Sequence, residues 1–376
     1  MKGNRRVLLN PGPATTTDSV KAALVIPDIC PRETSFCELY AATRRRLAAL
    51  VGDPREVKAL PVVGNGTTAL EAAMVSLLPP DARLLILDNG DYGTRLGLMA
   101  QALQLDYEVL SFGWASSIDL QQVEEALSRA SRPFTHAYFV HHETSSGILN
   151  PLSSLVELFR KHGVRTLLDA MSSFACLPTP VGSSEPGGVD VLISSSNKCV
   201  QGMAGLGLVL TTEDMINAAR GSRRRCFSLD LVAEHDHLET SGQSRFTVPP
   251  QIVSSLHQAL LELESEGRAG RQARYTRSMD CLIEGVQRLG FERLDTDGEP
   301  SQILVSIRAP EEDWFDFDHM HDALFEQGFT IYPGKAGAAP NFRLSVLGAI
   351  DHTDIQAFLS ALESYLLAVK PDPMQP

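Results

Sequence analysis

The chain has 376 residues, too many for one compact core and suited to a large domain with a smaller companion. Hydrophobic residues make up 43% and charged residues 21%, the balance of an ordinary soluble globular enzyme. The formal net charge of -13 gives a surface that repels nucleic acid and anionic membranes, so an anionic substrate needs positive charge held locally in a pocket.

The N-terminus is basic but reaches Pro11 before any long apolar run, which argues against a signal peptide, and no stretch approaches the length of a membrane span. Apolar runs then alternate with amphipathic stretches. Predicted strands are Lys58–Val63, Arg83–Leu87, Tyr107–Phe112, His136–Val140, Arg165–Leu168, Val189–Ile193 and Gly207–Leu210. Predicted helices between them include Thr67–Leu78, Ile118–Ala130 and Leu152–His162. Strands apolar on both faces and joined by helices belong in a mainly parallel sheet covered on both sides. No helical pattern separates the last two strands, which allows an antiparallel return. A long helical stretch follows from Pro250 to about Leu289, with a break near Gly267–Gly270. A β-rich segment comes next, with strands at Gln302–Ile307, Phe329–Tyr332 and Phe342–Val346 and a helix near Trp314–Gln327. A closing helix runs from Thr353 to about Val369, before a frayed tail. This second part reads as a smaller α+β unit.

Six cysteines, at 30, 37, 176, 199, 226 and 281, form no C-x-x-C pair and read as reduced thiols in a cytoplasmic protein. His235-x-His237 and His319-x-His321 lack the further ligands of a metal site, so no metal is expected. Arg223-Arg224-Arg225 reads as a solvated helix end.

Ligands of open α/β sheets gather beyond the carboxyl ends of the strands, and four such ends carry polar residues. Gly64-Asn-Gly-Thr-Thr68 lies between a strand and a helix. The glycines let backbone approach a ligand, and the helix start offers N–H groups to a phosphate; taken alone, the same segment would serve as a Thr-capped turn. His141-His-Glu-Thr-Ser-Ser-Gly147 presents hydroxyls that could bond a cofactor oxygen, or simply a Ser/Thr-rich loop. Asp169 follows an apolar strand, where a carboxylate can hold a protonated ring nitrogen or merely cap a turn. Lys198 follows Val191–Ile193 and a run of small polar residues. Lysine is a nucleophile only when neutral, which requires desolvation or a cationic neighbour. Cys199 adjoins it, but neighbours on an extended chain point to opposite sides.

The order of glycine cradle, strand-end Asp and Ser-x-x-Lys resembles the class V branch of fold-type I pyridoxal-phosphate (PLP) enzymes. More narrowly, the chain resembles the 2-aminoethylphosphonate–pyruvate transaminases. The segments that carry this are LLNPGPATTTDSVKAAL, NGDYGTR, HHETSSGILNP, DAMSSF, ISSSNKCVQG, SRFTVPP, IYPGK and NFRLSVLG, spread from residue 8 to residue 348. The resemblance implies a PLP-dependent transferase of fold type I: an α/β protein with a mainly parallel seven-stranded sheet in a large domain (15–262), and a small domain made of 1–14 and 263–376. It implies a homodimer with shared active sites, small amino and keto or aldehyde substrates, and transamination between 2-aminoethylphosphonate and pyruvate. Related activities on the same scaffold are alanine–glyoxylate or serine–pyruvate transamination, and PLP lyase chemistry.

Residue roles carried by the resemblance are these. Lys198 would hold the cofactor as a Schiff base and move the proton, and Asp169 would bond the ring nitrogen. Tyr92 would stack on the ring, with Met171 on the opposite face. Gly66, Thr67 and Thr68 would cradle the phosphate, Thr144 or Ser145 would reach the ring hydroxyl, and Asn197 would adjoin the cofactor. Thr247 would reach the partner subunit's phosphate. Arg343 would bind the acid group of the substrate. Apart from the resemblance, a phosphonate carries close to two negative charges, which makes Arg32 a candidate second cation, or else a surface residue paired with Glu33.

Overall fold

The computed structural model describes residues 5–222, 225–334 and 340–370. The tail 371–376, Arg223 and Arg224 of the basic run, and Lys335 of the IYPGK phrase lie outside the described residues.

Seven strands form the large sheet: β1 Val57–Val63, β2 Arg83–Asp88, β3 Asp106–Ser111, β4 His136–Val140, β5 Arg165–Asp169, β6 Val191–Ser195 and β7 Leu206–Thr212. Their order across the sheet is β1-β7-β6-β5-β4-β2-β3. Neighbours run parallel except β7, which is antiparallel to both β1 and β6. The expected return after β6 is therefore made: the connection holds no helix, and a crossover to a parallel strand needs one. The central strands β4 and β6 are buried along their whole length, which explains their unbroken apolar runs. The edge strand β3 is largely exposed and carries Asp106 and Glu108, paired with Arg132 and Arg83; charges on an edge discourage pairing with another chain.

Helix Gly66–Leu77 follows β1 and packs against β6 and β7 on one side and helix Leu231–Ser241 on the other. That double burial suits its nearly all-apolar sequence, from Ala69 to Leu77. Helices Thr34–Ala49, Asp91–Ala102 and Leu231–Ser241 are absent from the predicted elements. In Asp91–Ala102 the reason is Gly93 and Gly97, which weaken the helical pattern.

The long helical stretch is two helices, Pro250–Glu266 and Arg268–Arg288, meeting at Gly267. Beyond them a three-stranded antiparallel sheet has Asn341–Ser345 between Leu304–Arg308 and Tyr332–Pro333, with helices Phe317–Glu326 and His352–Val369. The predicted strand Phe329–Tyr332 is divided. Phe329–Thr330 pairs in parallel with Val7–Leu8, while Tyr332–Pro333 pairs with Phe342 and Arg343. The chain turns between two partners around the buried Ile331. The Ser345 amide donates to the Leu9 carbonyl at 2.7 Å, so the N-terminal segment is stitched to this C-terminal unit.

Candidate active site

β4, β5 and β6 are parallel neighbours, and their register sets Val140, Asp169 and Ile193 in one row. Residues just past that row therefore emerge together at the carboxyl edge of the sheet. Val140, His142 and Thr144, from the end of β4 onward, and Ser195 and Asn197, from the end of β6 onward, lie at this edge. All five line one cavity of about 180 Å³, together with Asp169, Met171, Ser172 and Lys198. The far wall is Tyr92 and Arg95 from helix Asp91–Ala102, and the floor is Asn65, Gly66 and Thr67 at the start of helix Gly66–Leu77.

Lys198 reaches the N-terminal loop, where its Nζ donates to the carbonyl of Pro11. Gly12 makes this approach possible. It has φ +131, and a Cβ there would sit 2.4 Å from the Lys198 Nζ. Burial lowers the pKa of the lysine, and the charge of Arg343 adds to that, against the pull of Tyr92, Cys199 and Asp169. The neighbouring Cys199 points the other way: it is fully buried, and its Sγ donates to the Ser172 carbonyl at 3.1 Å.

Asp169 is 1% exposed. Burial raises its pKa, while Arg95, the Met171 amide and Lys198 favour the carboxylate. The Met171 amide donates to Asp169 Oδ1 at 2.9 Å. The Arg95 guanidinium carbon lies 4.5 Å from the centre of the Tyr92 ring, a cation–π distance. One cation thus supports the aromatic wall and offsets the buried carboxylate.

Some expected residues lie outside the cavity lining. The Thr68 hydroxyl is within bonding distance of Asn65 and closes a capping box with it, so it is spent on the helix start. The Ser145 hydroxyl donates to Glu143 at 2.5 Å and accepts the Asp91 amide at 3.1 Å. Arg32 is exposed and donates to the carbonyls of Ser244 and Arg245; Thr247, on the same segment, is exposed too. Arg343 is 2% exposed and adjoins the lining residue Thr144, whose carbonyl accepts its Nη1 at 3.2 Å. Its Nε lies 3.3 Å from the Pro333 carbonyl.

Arg95, His142 and Ser195 line the cavity and were missed as site residues. The signals were present: Arg95 stands three positions after Tyr92 on one helix face, and His142 and Ser195 stand two positions before Thr144 and Asn197. Each also has a buried polar atom without a hydrogen-bond partner, namely Arg95 Nε, His142 Nε2 and Ser195 Oγ. Buried polar atoms need partners. A flat, polar, phosphorylated group would supply them, and the amides at the helix start suit the phosphate. The residues present fit PLP.

His136, His141 and His142 are all buried, and burial lowers their pKa values to about 4, about 4 and about 3. In the unfolded chain each takes a proton near pH 6.5. Their contribution to stability is complete above that value and is lost as pH falls toward 4. Glu143, raised to about 7 by burial, opposes the trend because it binds a proton in the folded state. The net excess of one or two protons predicts a loss of about 1.4–2.7 kcal/mol per pH unit between pH 6 and 5. Thermal melts across that range test this. His142→Asn should flatten the slope, and an unchanged slope in the variant would reject the assignment.

Residues 21–350 match the family model described as aminotransferase class-V. A protein of Vibrio cholerae named 2-aminoethylphosphonate–pyruvate transaminase is 36% identical over 363 residues, covering 96% of this chain and 97% of that one. One of the same name from Bacillus cereus is 34% identical over 365 residues, with 96% and 98% covered. Among solved structures, alanine–glyoxylate aminotransferase from a Nostoc species superposes with a TM-score of 0.88 at 24% identity, covering 97% of this chain and 96% of that one. Pyridoxamine–pyruvate aminotransferase from Mesorhizobium loti gives 0.86 at 22% identity, covering 99% and 95%. These likenesses carry the fold, the fold-type I aminotransferase architecture with its mixed seven-stranded sheet. The family match spans nearly the whole chain, and this chain is a member of the class V aminotransferases.

Proposed function

We propose that the chain transfers an amino group between 2-aminoethylphosphonate and pyruvate, giving phosphonoacetaldehyde and alanine, with PLP bound in the Lys198 cavity. The observation that carries this is the meeting of a lysine of lowered pKa, a buried carboxylate and an aromatic wall in one cavity, with a buried arginine beside it. The names of relatives aligned over nearly the full length support the substrate pair.

Bound there, PLP supplies an aldehyde and an electron-accepting ring, chemistry that no side chain provides. The protein's own residues do the rest. The amides of Gly66 and Thr67 hold the phosphate at a helix start. Asp169 holds the proton on the ring nitrogen. Tyr92 and Met171 would hold the ring between them, and Thr144 and Asn197 would offer it polar groups. Lys198, neutral when released, takes the substrate's α-proton and returns it one position away. Arg343 receives the acid group, and its planar fork suits a carboxylate or a phosphonate in turn.

A two-fold dimer with shared sites belongs to the same proposal. Phe227 is 73% exposed and Phe246 41%; their ring centres are 5.8 Å apart, and the Arg245 guanidinium carbon packs beside both, 5.2 and 4.9 Å from them. This apolar surface adjoins the exposed Thr247. Arg32 is tied to the same segment, so both would reach the partner's cavity together. A solution mass of one chain with full activity would refute the dimer. The free cysteines suit a reducing cytoplasm.

The test is a screen of amines against the PLP-loaded protein, read as loss of the bound cofactor's visible absorption. 2-Aminoethylphosphonate and alanine should react fastest; preference for serine or another amine over both would overturn the substrate assignment. Arg343→Ala should impair both half-reactions. Arg32→Ala should weaken 2-aminoethylphosphonate by about 1.5–3 kcal/mol and leave alanine little changed, because a dianion needs the second cation and a carboxylate does not. Equal losses for the two amines would remove Arg32 from the phosphonate site.

A further inference from the structure

We infer that Glu143 is a positioning residue, which sets Tyr92 against the cofactor by capping the helix that carries it; the inference rests on the reading of the Lys198 cavity as a PLP site. His142 and Thr144 line the cavity, while the Glu143 side chain between them goes to the amides of Tyr92 and Gly93. That side chain is completely buried and meets the start of helix Asp91–Ala102. Its Oε2 accepts the amides of Tyr92 at 3.1 Å and Gly93 at 3.2 Å. Its Oε1 accepts the Ser145 amide at 3.1 Å and the Ser145 hydroxyl at 2.5 Å. The Ser145 oxygen in turn accepts the Asp91 amide at 3.1 Å. The successive amides of residues 91, 92 and 93 therefore all end on the Glu143–Ser145 pair.

The first N–H groups of a helix have no partner within it, and a neighbouring side chain ordinarily supplies one. The residue in the capping position here is Gly90, which has no side chain to offer. A Cβ on Gly90 would lie 2.4 Å from Glu143 Cγ and 2.7 Å from Ser145 Oγ. The glycine is thus the space that admits a cap from a distant strand end. A carboxylate is the apt group, because the helix start carries partial positive charge; burial raises its pKa to about 7, so the cap is fully charged above that pH. Tyr92 is the second residue of this helix, so fixing its amide fixes the ring. The strand end that supplies His142 and Thr144 to one side of the cavity thereby also positions the aromatic wall.

The experiment is a double-mutant cycle on PLP affinity. Apoprotein is titrated with PLP at a pH well above 7, where Glu143 is ionised, and binding is read from the visible circular dichroism of the bound cofactor. Glu143→Gln keeps the shape but turns an amide NH2 toward N–H donors. It should weaken PLP by about 10- to 100-fold, the range for loss of a charged hydrogen bond, and alter the dichroic band. Tyr92→Ala should weaken PLP as well, and the double variant should be no weaker than Tyr92→Ala alone within about twofold. Hydrogen exchange in the apoprotein should speed up across residues 91–93 and stay unchanged across helix Gly66–Leu77. Additive losses in the double variant, or wild-type affinity and exchange in Glu143→Gln, would overturn the inference. Should Glu143→Gln fail to fold, Ser145→Ala carries the same cycle with a loss of about threefold. A wild-type protein that binds no PLP would overturn the site reading itself, a result distinct from either.

Discussion

Lys198→Ala is expected to abolish turnover while leaving a protein that still takes up PLP without a covalent bond. In the proposed reaction the lysine has two tasks that no neighbour shares. Its Nζ would form the link to the cofactor aldehyde, and once released it would move the proton. Both require a neutral amine, and the surroundings favour one: burial and the charge of Arg343 lower its pKa. The cradle at Gly66 and Thr67, the wall at Tyr92 and the carboxylate of Asp169 lie on other elements, so they persist in the variant. Rate should fall by at least about 10⁴-fold, ~5.4 kcal/mol in the barrier. Cofactor should co-purify or rebind, yet resist fixation by borohydride. A borohydride-fixed cofactor in the variant would show that another lysine makes the bond.

Asp169→Asn should lower the rate by about a thousandfold or more, ~4 kcal/mol, with little change in fold. The asparagine carbonyl can still accept the Met171 amide that now bonds Oδ1, so the local turn survives. What it loses is charge. A carboxylate at the ring nitrogen keeps a proton there, and the ring then withdraws electrons from the reacting carbon. The Arg95 charge acts in the same direction, because it favours ionised Asp169 against the effect of burial. A variant within about tenfold of wild type, a barrier change of ~1.4 kcal/mol, would remove this role from Asp169.

Much of the sheet was legible because its strands are buried on both faces, and runs such as Leu167-Leu168 and Val191-Leu192-Ile193 have no other home. Helix Asp91–Ala102 was not legible. Its two glycines fit through close packing, with a Cβ on Gly93 placed 2.7 Å from Asp88 Oδ1, and packing of that kind leaves no periodic signature. At the site, strand ends announced Asp169 and Lys198, and the same rule could have announced His142 and Ser195, which also stand at strand ends. The assignment of hydroxyls was beyond reach. Thr68 and Ser145 can serve a ligand or a helix start equally well, and only the positions of Asn65 and Glu143 decide for the helix. Arg32 is a similar case, since its partners lie more than two hundred residues away.

The burial of Arg343 has a thermodynamic consequence. Among the described residues its hydrogen bonds go to the carbonyls of Thr144 and Pro333, with no carboxylate opposite. A carbonyl offers only partial charge, so folding leaves a dehydrated cation without a counter-ion. Stability is thereby given up in advance for the sake of recognition. An arriving anion completes the pair and recovers part of that free energy, so substrate acids should raise the melting temperature where uncharged esters do not. The same strain places this position on a trade-off between stability and activity. An apolar side chain of similar length, as in Arg343→Met, would give a sturdier protein that no longer distinguishes its substrates.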